Sequence, residues 1–244
     1  MRPTDLPLIR RSRLFSQVSE HDLKAMLEAC FVQTLTKGAT PCQQGEGPEF
    51  FHVVLSGGVG LFGEGPREEA LIEFFGPGDG FVMAAVMLEA PYLVTARMLE
   101  GGRVLFWPAK AFRTQLRGNA ALGYGAALQL SSYWRTLIRQ IKDLKLLSAV
   151  ERVSAMLLAL APRQSGSVNV ILPGGRRMIA GRLGVTPPTL SRAFAALRPL
   201  GVSGNGRQVT IAEIGRLREV AGGTAFKRPP EPSASRRAGD EPRP

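Results

Sequence analysis

The sequence predicts an α+β protein in three parts: a β-rich N-terminal domain, one long helix, and a C-terminal winged helix-turn-helix. Three observations predict it. Short β-type runs alternate with Gly and Pro turn signals between residues 31 and 107. A heptad of apolar residues runs through 119–147. Two short helical segments, separated by a tight turn at Gly184-Val185-Thr186, precede a hairpin signal near residue 205. The boundaries follow as 1–118, 119–147 and 148–222, with a Pro-, Ser- and Arg-rich tail over 223–244 that lacks apolar periodicity and predicts disorder.

Residues 8–30 read as short helical pieces. Ser19 is the natural cap of a helix whose first turn carries Glu20 and Asp22. Leu23, Met26, Leu27 and Cys30 form an apolar stripe at helical spacing. The following β-type runs suggest a sandwich or barrel-like roll, with Gly38, Gly45, Gly57 and Gly78 at its turns.

Asn119 can cap the long helix. Gly123, Ala127, Leu130, Trp134, Leu137, Ile141 and Leu144 recur at alternating spacings of four and three. So narrow a seam points to a two-stranded coiled coil between two copies, with Leu130, Trp134, Leu137, Ile141 and Leu144 at the dimer contact. Packing against its own domain is the other reading, although that ordinarily needs a broader apolar face.

A helix over Ala149–Leu160 ends before Pro162, and 165–175 reads as a strand pair or an extended linker. Helices over Arg176–Leu183 and Pro187–Leu197 follow. Met178, Ile179 and Leu183 are the inward face of the first, and Leu190, Phe194 and Leu197 that of the second. Thr186 is a cap, and Pro187 suits the first helical position. Two β-type pieces around Asn205-Gly206 make the hairpin.

Charge separates these parts. Residues 148–222 hold ten arginines, no lysine and three acidic residues, a local charge of +7 out of +11 for the chain. An anionic partner is implied, nucleic acid or membrane surface, unless the arginines only solvate the face. No apolar run approaches the roughly 20 residues of a membrane span. The basic N-terminus lacks the hydrophobic core of a secretory signal, so the expected compartment is the cytoplasm. Cys30 and Cys42 are too few for a disulfide framework or for an iron–sulfur cluster within one chain. No nucleophile–His pattern, metal-ligand cluster or phosphate-cradling loop supports an enzyme.

On the second of the paired helices, Thr186, Pro188, Thr189, Ser191 and Arg192 are free to face outward. The outer N-terminal face of such a helix reaches base edges in the major groove of double-stranded DNA. Arg192 can donate two parallel hydrogen bonds to guanine, and Ser191 can donate or accept; a surface salt bridge is the alternative for Arg192. Arg176, Arg177, Arg182 and Arg207 could hold phosphates, or could be merely solvated.

With these residues in place, the chain resembles the CRP/FNR family of bacterial regulators over roughly residues 10–220. The segment LTKGATPCQQGEGPEFFHVVLSGGVGLF carries the family's roll glycines, and the order of roll, dimer helix and winged helix-turn-helix is the family's order. The resemblance implies a cyclic-nucleotide-binding-like β-roll, a homodimer and transcription regulation, with RNA polymerase as a candidate partner. It is nearest to the FNR/DNR branch, whose recognition helix carries Glu-x-x-Ser-Arg. Ser191-Arg192 matches the end of that pattern, and Pro188 replaces its Glu.

Family members that bind cyclic AMP use a Gly-Glu pair and an Arg-Ser pair. Here Met83 falls where the Glu would be, and Leu93-Val94 where the Arg-Ser would be. A cyclic phosphate would therefore lose its charge-assisted bonds. Met83, Met87, Leu93 and Val94 are instead the expected lining of an apolar effector pocket. Haem is a candidate occupant, with His21, His52, Cys30, Cys42, Met83 and Met87 as ligand candidates. Each has a plainer reading: His52 as a hydrogen-bonded core histidine, His21 as an exposed first-turn residue, and the cysteines as small fillers. Control by abundance alone, with no ligand, is a further reading. A ligand-binding interaction module with a degenerate helix-turn-helix is the alternative to a DNA-binding regulator; the double proline at 187–188 favours it.

Overall fold

A computed structural model describes residues 2, 4–65, 69–162 and 165–221; the predicted tail, 223–244, lies outside them. Two antiparallel sheets build the N-terminal domain. In the first, β1 (Phe31–Leu35), β7 (Gly102–Pro108), β2 (Phe50–Val54) and β5 (Gly80–Phe81) lie in that order; in the second, β4 (Glu69–Phe75), β3 (Gly58–Glu64) and β6 (Thr95–Glu100) do. Side chains alternate across a strand, and the first sheet is covered on both faces. Phe51, Val53, Leu105 and Trp107 face helices, while Val54, Val104 and Phe106 pack with Phe75, Phe81 and Met98 between the sheets. That is why β2 reads as one unbroken apolar run. Gly38, Gly45, Gly57 and Gly78 all take positive φ, as the turns require. At Gly57 a Cβ would also stand 2.8 Å from the carbonyl oxygens of Glu100 and Gly101.

Helices α1 (Asp5–Arg10) and α2 (Glu20–Leu27) close the outer face of the first sheet. The Ser19 side chain accepts from the Asp22 N–H, as the capping pattern predicts. A short helix, α3 (Met83–Leu88), occupies the stretch expected to line a pocket. It is bracketed by Val82 and Glu89, both left-handed non-glycine residues, and φ near +58° is costly for a β-branched residue.

Asn119 separates α4 (Ala109–Gly118) from the long helix α5 (Ala120–Leu146), and its side chain accepts from the Leu122 N–H at 2.9 Å. The helix changes partner along its length. Leu122, Gly125, Ala126 and Gln129 are buried against the N-terminal domain. Gly125 lies against the Leu14 carbonyl, where no Cβ fits. Further along, Trp134 is 65% exposed, Ile141 49%, Leu144 47% and Leu137 44%, while Leu130 is half-buried. One face of the first half thus packs on its own domain, through residues beside the heptad rather than on it, and the apolar stripe of the second half is uncovered in the single chain.

The C-terminal domain begins with α6 (Ala149–Leu160), started by a reciprocal capping box between Ser148 and Glu151. A three-stranded sheet in the order β8–β10–β9, formed by β8 (Val168–Ile171), β9 (Val202–Asn205) and β10 (Gln208–Ile211), follows, with α7 (Arg176–Arg182), α8 (Pro187–Leu197) and α9 (Ile214–Val220). Two sequence expectations need correction. Segment 165–175 is neither a strand pair nor a linker: β8 is a single strand pairing with β10, Asn169 opposite Thr210. The hairpin loop is Gly206-Arg207, because Asn205 is already paired with Gln208.

Candidate nucleic-acid interface

Helix α8 is the focus of the basic domain. The Thr186 side chain accepts from the Thr189 N–H, and the two hydroxyls share a hydrogen bond of 2.9 Å. Pro187 and Pro188 fill the first turn, where backbone N–H groups lack intrahelical partners in any helix. The double proline therefore starts a well-formed helix rather than spoiling one. Leu190, Ala193, Phe194 and Leu197 are buried in one core with Ile179, Leu183, Val202 and Val209. Burial of that stripe fixes the opposite face outward. Pro188, Ser191 and Arg192 are exposed, and Thr189 is half-buried. Ser191 Oγ donates to the Pro187 carbonyl and keeps its lone pairs toward solvent. Among the described residues Arg192 enters no ion pair.

The other arginines differ among themselves. Arg177 is exposed at the start of α7. Arg176 lies 4.3 Å over the Phe194 ring, a cation–π contact bridging the two helices. Arg182 and Arg207, expected to be open to phosphate, are engaged by the N-terminal domain. Arg182 Nε and Nη2 donate to Glu73 Oε1 at 3.1 and 2.9 Å. Arg207 Nη2 lies 2.6 Å from Glu100 Oε1, and its Nε donates to the Leu172 carbonyl.

The sensory end departs further from the sequence reading. Met83, Met87, Leu93 and Val94 do not converge on one cavity. Met83 is buried in the core beneath the first sheet, and Val94 packs on the core between the sheets. Met87 is 41% and Leu93 85% exposed. Met83 and Met87 lie one turn apart on α3, yet only Met83 reaches the core, and Leu93 and Val94 follow the helix rather than lining it.

Aromatic side chains fill the space between the sheets and α5. His52 is fully buried, stacked at 4.8 Å on Phe81 and edge-on to Phe106 at 4.8 Å. Neither of its ring nitrogens has a hydrogen-bond partner, so it is a core histidine but not a satisfied one. Burial pushes its pKa down to about 3. Tyr133, from α5, donates to the Gly80 carbonyl at 2.5 Å and receives Gln129 Nε2. This tie between roll and helix was not singled out from sequence, because Tyr133 lies off the heptad and only its i+4 spacing from Gln129 hints at a pair. His21 is exposed on α2. Burial raises the thiols of Cys30 and Cys42 to about 12 and about 11, as suits inert fillers. Among the described residues no group of three or more His, Cys, Asp or Glu could hold a metal ion, and no helix is long and apolar enough to cross a membrane.

A β-roll joined through a long, half-uncovered helix to an arginine-rich winged helix-turn-helix defines a DNA-binding regulator with a built-in sensory domain. The comparisons agree. The cyclic nucleotide-binding domain family matches residues 32–119, and the Crp-like helix-turn-helix domain matches 151–220. A solved structure from Ruegeria pomeroyi DSS-3, titled a cyclic nucleotide binding protein, is 30% identical with a TM-score of 0.64, over 89% of this chain and 97% of that one. A second, from Silicibacter pomeroyi DSS-3, titled a cAMP-binding regulatory protein, is 29% identical with a TM-score of 0.63, over 90% and 99%. FixK2 from Bradyrhizobium japonicum shares the fold, with a TM-score of 0.70 at 21% identity, over 78% and 96%. No curated protein matches the sequence. The chain belongs to the CRP/FNR family of transcription regulators.

Proposed function

We propose that this protein is a homodimeric, cytoplasmic, non-enzymatic regulator that reads a specific DNA site through Ser191 and Arg192 and answers to a signal other than cyclic AMP. One observation carries the DNA-reading half: Arg192 projects from the exposed N-terminal face of α8 with no ion pair among the described residues, while the opposite face is locked in the core. Two such helices, set one DNA turn apart by paired α5 helices, would contact successive major grooves. Thr186, Pro188 and Thr189 flank the reader, and Arg176 and Arg177 would hold phosphates. RNA polymerase is the partner that activation would require.

Arg192→Ala tests this reading. Affinity for the cognate duplex should fall by about 1–3 kcal/mol, with affinity for random duplex nearly unchanged. Fluorescence anisotropy on both duplexes at fixed salt measures it. Equal loss on both would reduce Arg192 to a phosphate contact.

The two pomeroyi proteins are described as binding a cyclic nucleotide or cAMP, and the described roll arginines nearest the expected pocket argue against a cyclic phosphate here. Arg97, Arg103 and Arg113 are each paired with an acid, Glu69, Asp5 and Glu89. Haem fits the packed residues no better. His52 alone among the candidates offers enclosed, unpartnered nitrogens, but its ring is clasped by Phe81 and Phe106, with no width for a porphyrin beside it. The purified protein should show no Soret band; a Soret band that is lost in His52→Phe would reverse that reading. An uncharged effector, or none, suits an aromatic interior better.

A further inference from the structure

We infer that Glu73 is an internal phosphate mimic, a latch that occupies the first helix of the helix-turn-helix until a signal moves the roll. The inference rests on the DNA-regulator reading above and concerns how that reading is switched.

The geometry centres on one carboxylate. Glu73, on β4, accepts from Arg182 through both oxygens, Nη2 lying 2.9 Å from Oε1 and 3.1 Å from Oε2. The same guanidinium lies 4.7 Å over the Phe74 ring. Gln140, on α5, donates to Glu73 Oε2 at 2.6 Å. A single side chain thus joins the sensory sheet, the long helix and the DNA-reading domain. The pair is well shielded, with side chains 18% and 21% exposed, unlike the half-exposed Arg207–Glu100 pair beside it. Exposed pairs contribute little, whereas a shielded, forked pair with a third donor has defined geometry.

The backbone repeats the message. Gly181 brings α7 against β4, where a Cβ would lie 3.5 Å from the Leu71 nitrogen and 3.9 Å from the Ala70 Cα. In a helix-turn-helix bound to DNA, the first helix crosses the sugar-phosphate backbone. Here that helix lies on the roll, and its cation is matched to a carboxylate in the forked manner that would suit phosphate. The recognition face of α8 remains open, so only half of the reading surface is withheld. Elsewhere the domains meet loosely. A cavity of about 390 Å³ lies between them, bordered by Gly58, Phe74, Asp79, Glu100, Ile171 and Arg207. A contact made through two ion pairs, Arg182–Glu73 and Arg207–Glu100, beside an open space can part without exposing a large apolar core. A shift of β4 relative to α5 would release Arg182 and Gln140 together.

Two sets of variants test the latch in full-length protein. Glu73→Gln keeps the shape and removes the charge. It should bind duplex DNA about tenfold more tightly than wild type, a coupling of ordinary allosteric size. Arg182→Gln should weaken binding and abolish the effect of Glu73→Gln in the double variant. Should Glu73→Gln fold poorly, a covalent version decides: Ala70→Cys with Gly181→Cys puts one thiol on each side of the contact, where a Gly181 Cβ would lie 3.9 Å from the Ala70 Cα. Under oxidant this variant should cross-link within one chain and lose DNA affinity, and reductant should restore it. Failure to cross-link, or equal affinity in both redox states, overturns the latch. A folded Glu73→Gln protein with unchanged affinity does the same. If, in that case, Arg192→Ala still loses the cognate site, the regulator reading survives and only the latch falls. If neither wild type nor variants bind duplex DNA at low salt, both fail.

Discussion

Replacing Ile141 with glutamate should leave the protein monomeric and lower its affinity for a two-fold-symmetric operator by about 10²–10⁴-fold, the usual gain from joining two binding modules. The expectation follows from the second half of α5. Trp134, Leu137, Ile141 and Leu144 present large apolar surface in the single chain, each more than 40% exposed, and they recur with the heptad period of a two-stranded seam. Large contiguous apolar surface on a soluble chain marks an interaction site. In a coiled coil, Ile141 would meet its own copy, so glutamate there sets two carboxylates together in an apolar seam, and both charges disfavour assembly. Sedimentation measures the first effect, and anisotropy on full and half operators the second. A variant that stayed dimeric would move the contact off this face. A monomer with unchanged operator affinity would show that each copy reads DNA alone.

Most of the C-terminal domain was legible because its signals are local. Thr186, Pro187 and the stripe Leu190, Phe194 and Leu197 sit within a few turns of one another, so cap, first turn and buried face could be read together. What failed had long-range causes. β8 finds its partner about forty residues downstream, and nothing within 165–175 announces that. The pocket expected at Met83, Met87, Leu93 and Val94 rested on their apolar character alone, but two separate cores take up Met83 and Val94, and Met87 and Leu93 face solvent. Arg182 and Arg207 were read as free because their acidic partners, Glu73 and Glu100, lie more than a hundred residues away. Charge counting finds a basic face but cannot tell which of its arginines are already spoken for. His52 was correctly placed in the core; its missing hydrogen bonds could emerge only once Phe81 and Phe106 were seen to enclose it.

The same blindness to distant partners hid the buried ion pair on which α1 depends. Asp5 accepts from Arg103 Nη1 and Nη2 at 2.8 Å each and from the Arg2 N–H at 2.6 Å. The side chains are 3% and 12% exposed. Asp5→Ala would strand the guanidinium at the start of β7, and breaking one partner of a buried pair costs about 3–5 kcal/mol. Urea unfolding should show that loss, and Asp5→Leu with Arg103→Leu should recover most of it, because no unpaired charge remains. A loss below about 1 kcal/mol in Asp5→Ala would mean that water already serves Arg103. The pair also sets an acid limit. The Arg103 guanidinium, together with the Arg2 N–H, holds the Asp5 carboxyl below its ordinary value of 3.8. The unfolded chain then takes up this proton at higher pH than the folded one, so the contribution is complete above 3.8 and disappears as pH falls through the lowered folded value. His52 acts earlier on the same side. Its folded pKa of about 3 lies below the ordinary 6.5, so the unfolded chain is charged first and stability declines from about pH 6.5 downward. Acid unfolding of the wild type should therefore begin with the histidine and steepen with the aspartate. His52→Phe should remove the first phase only, and Asp5→Asn the second.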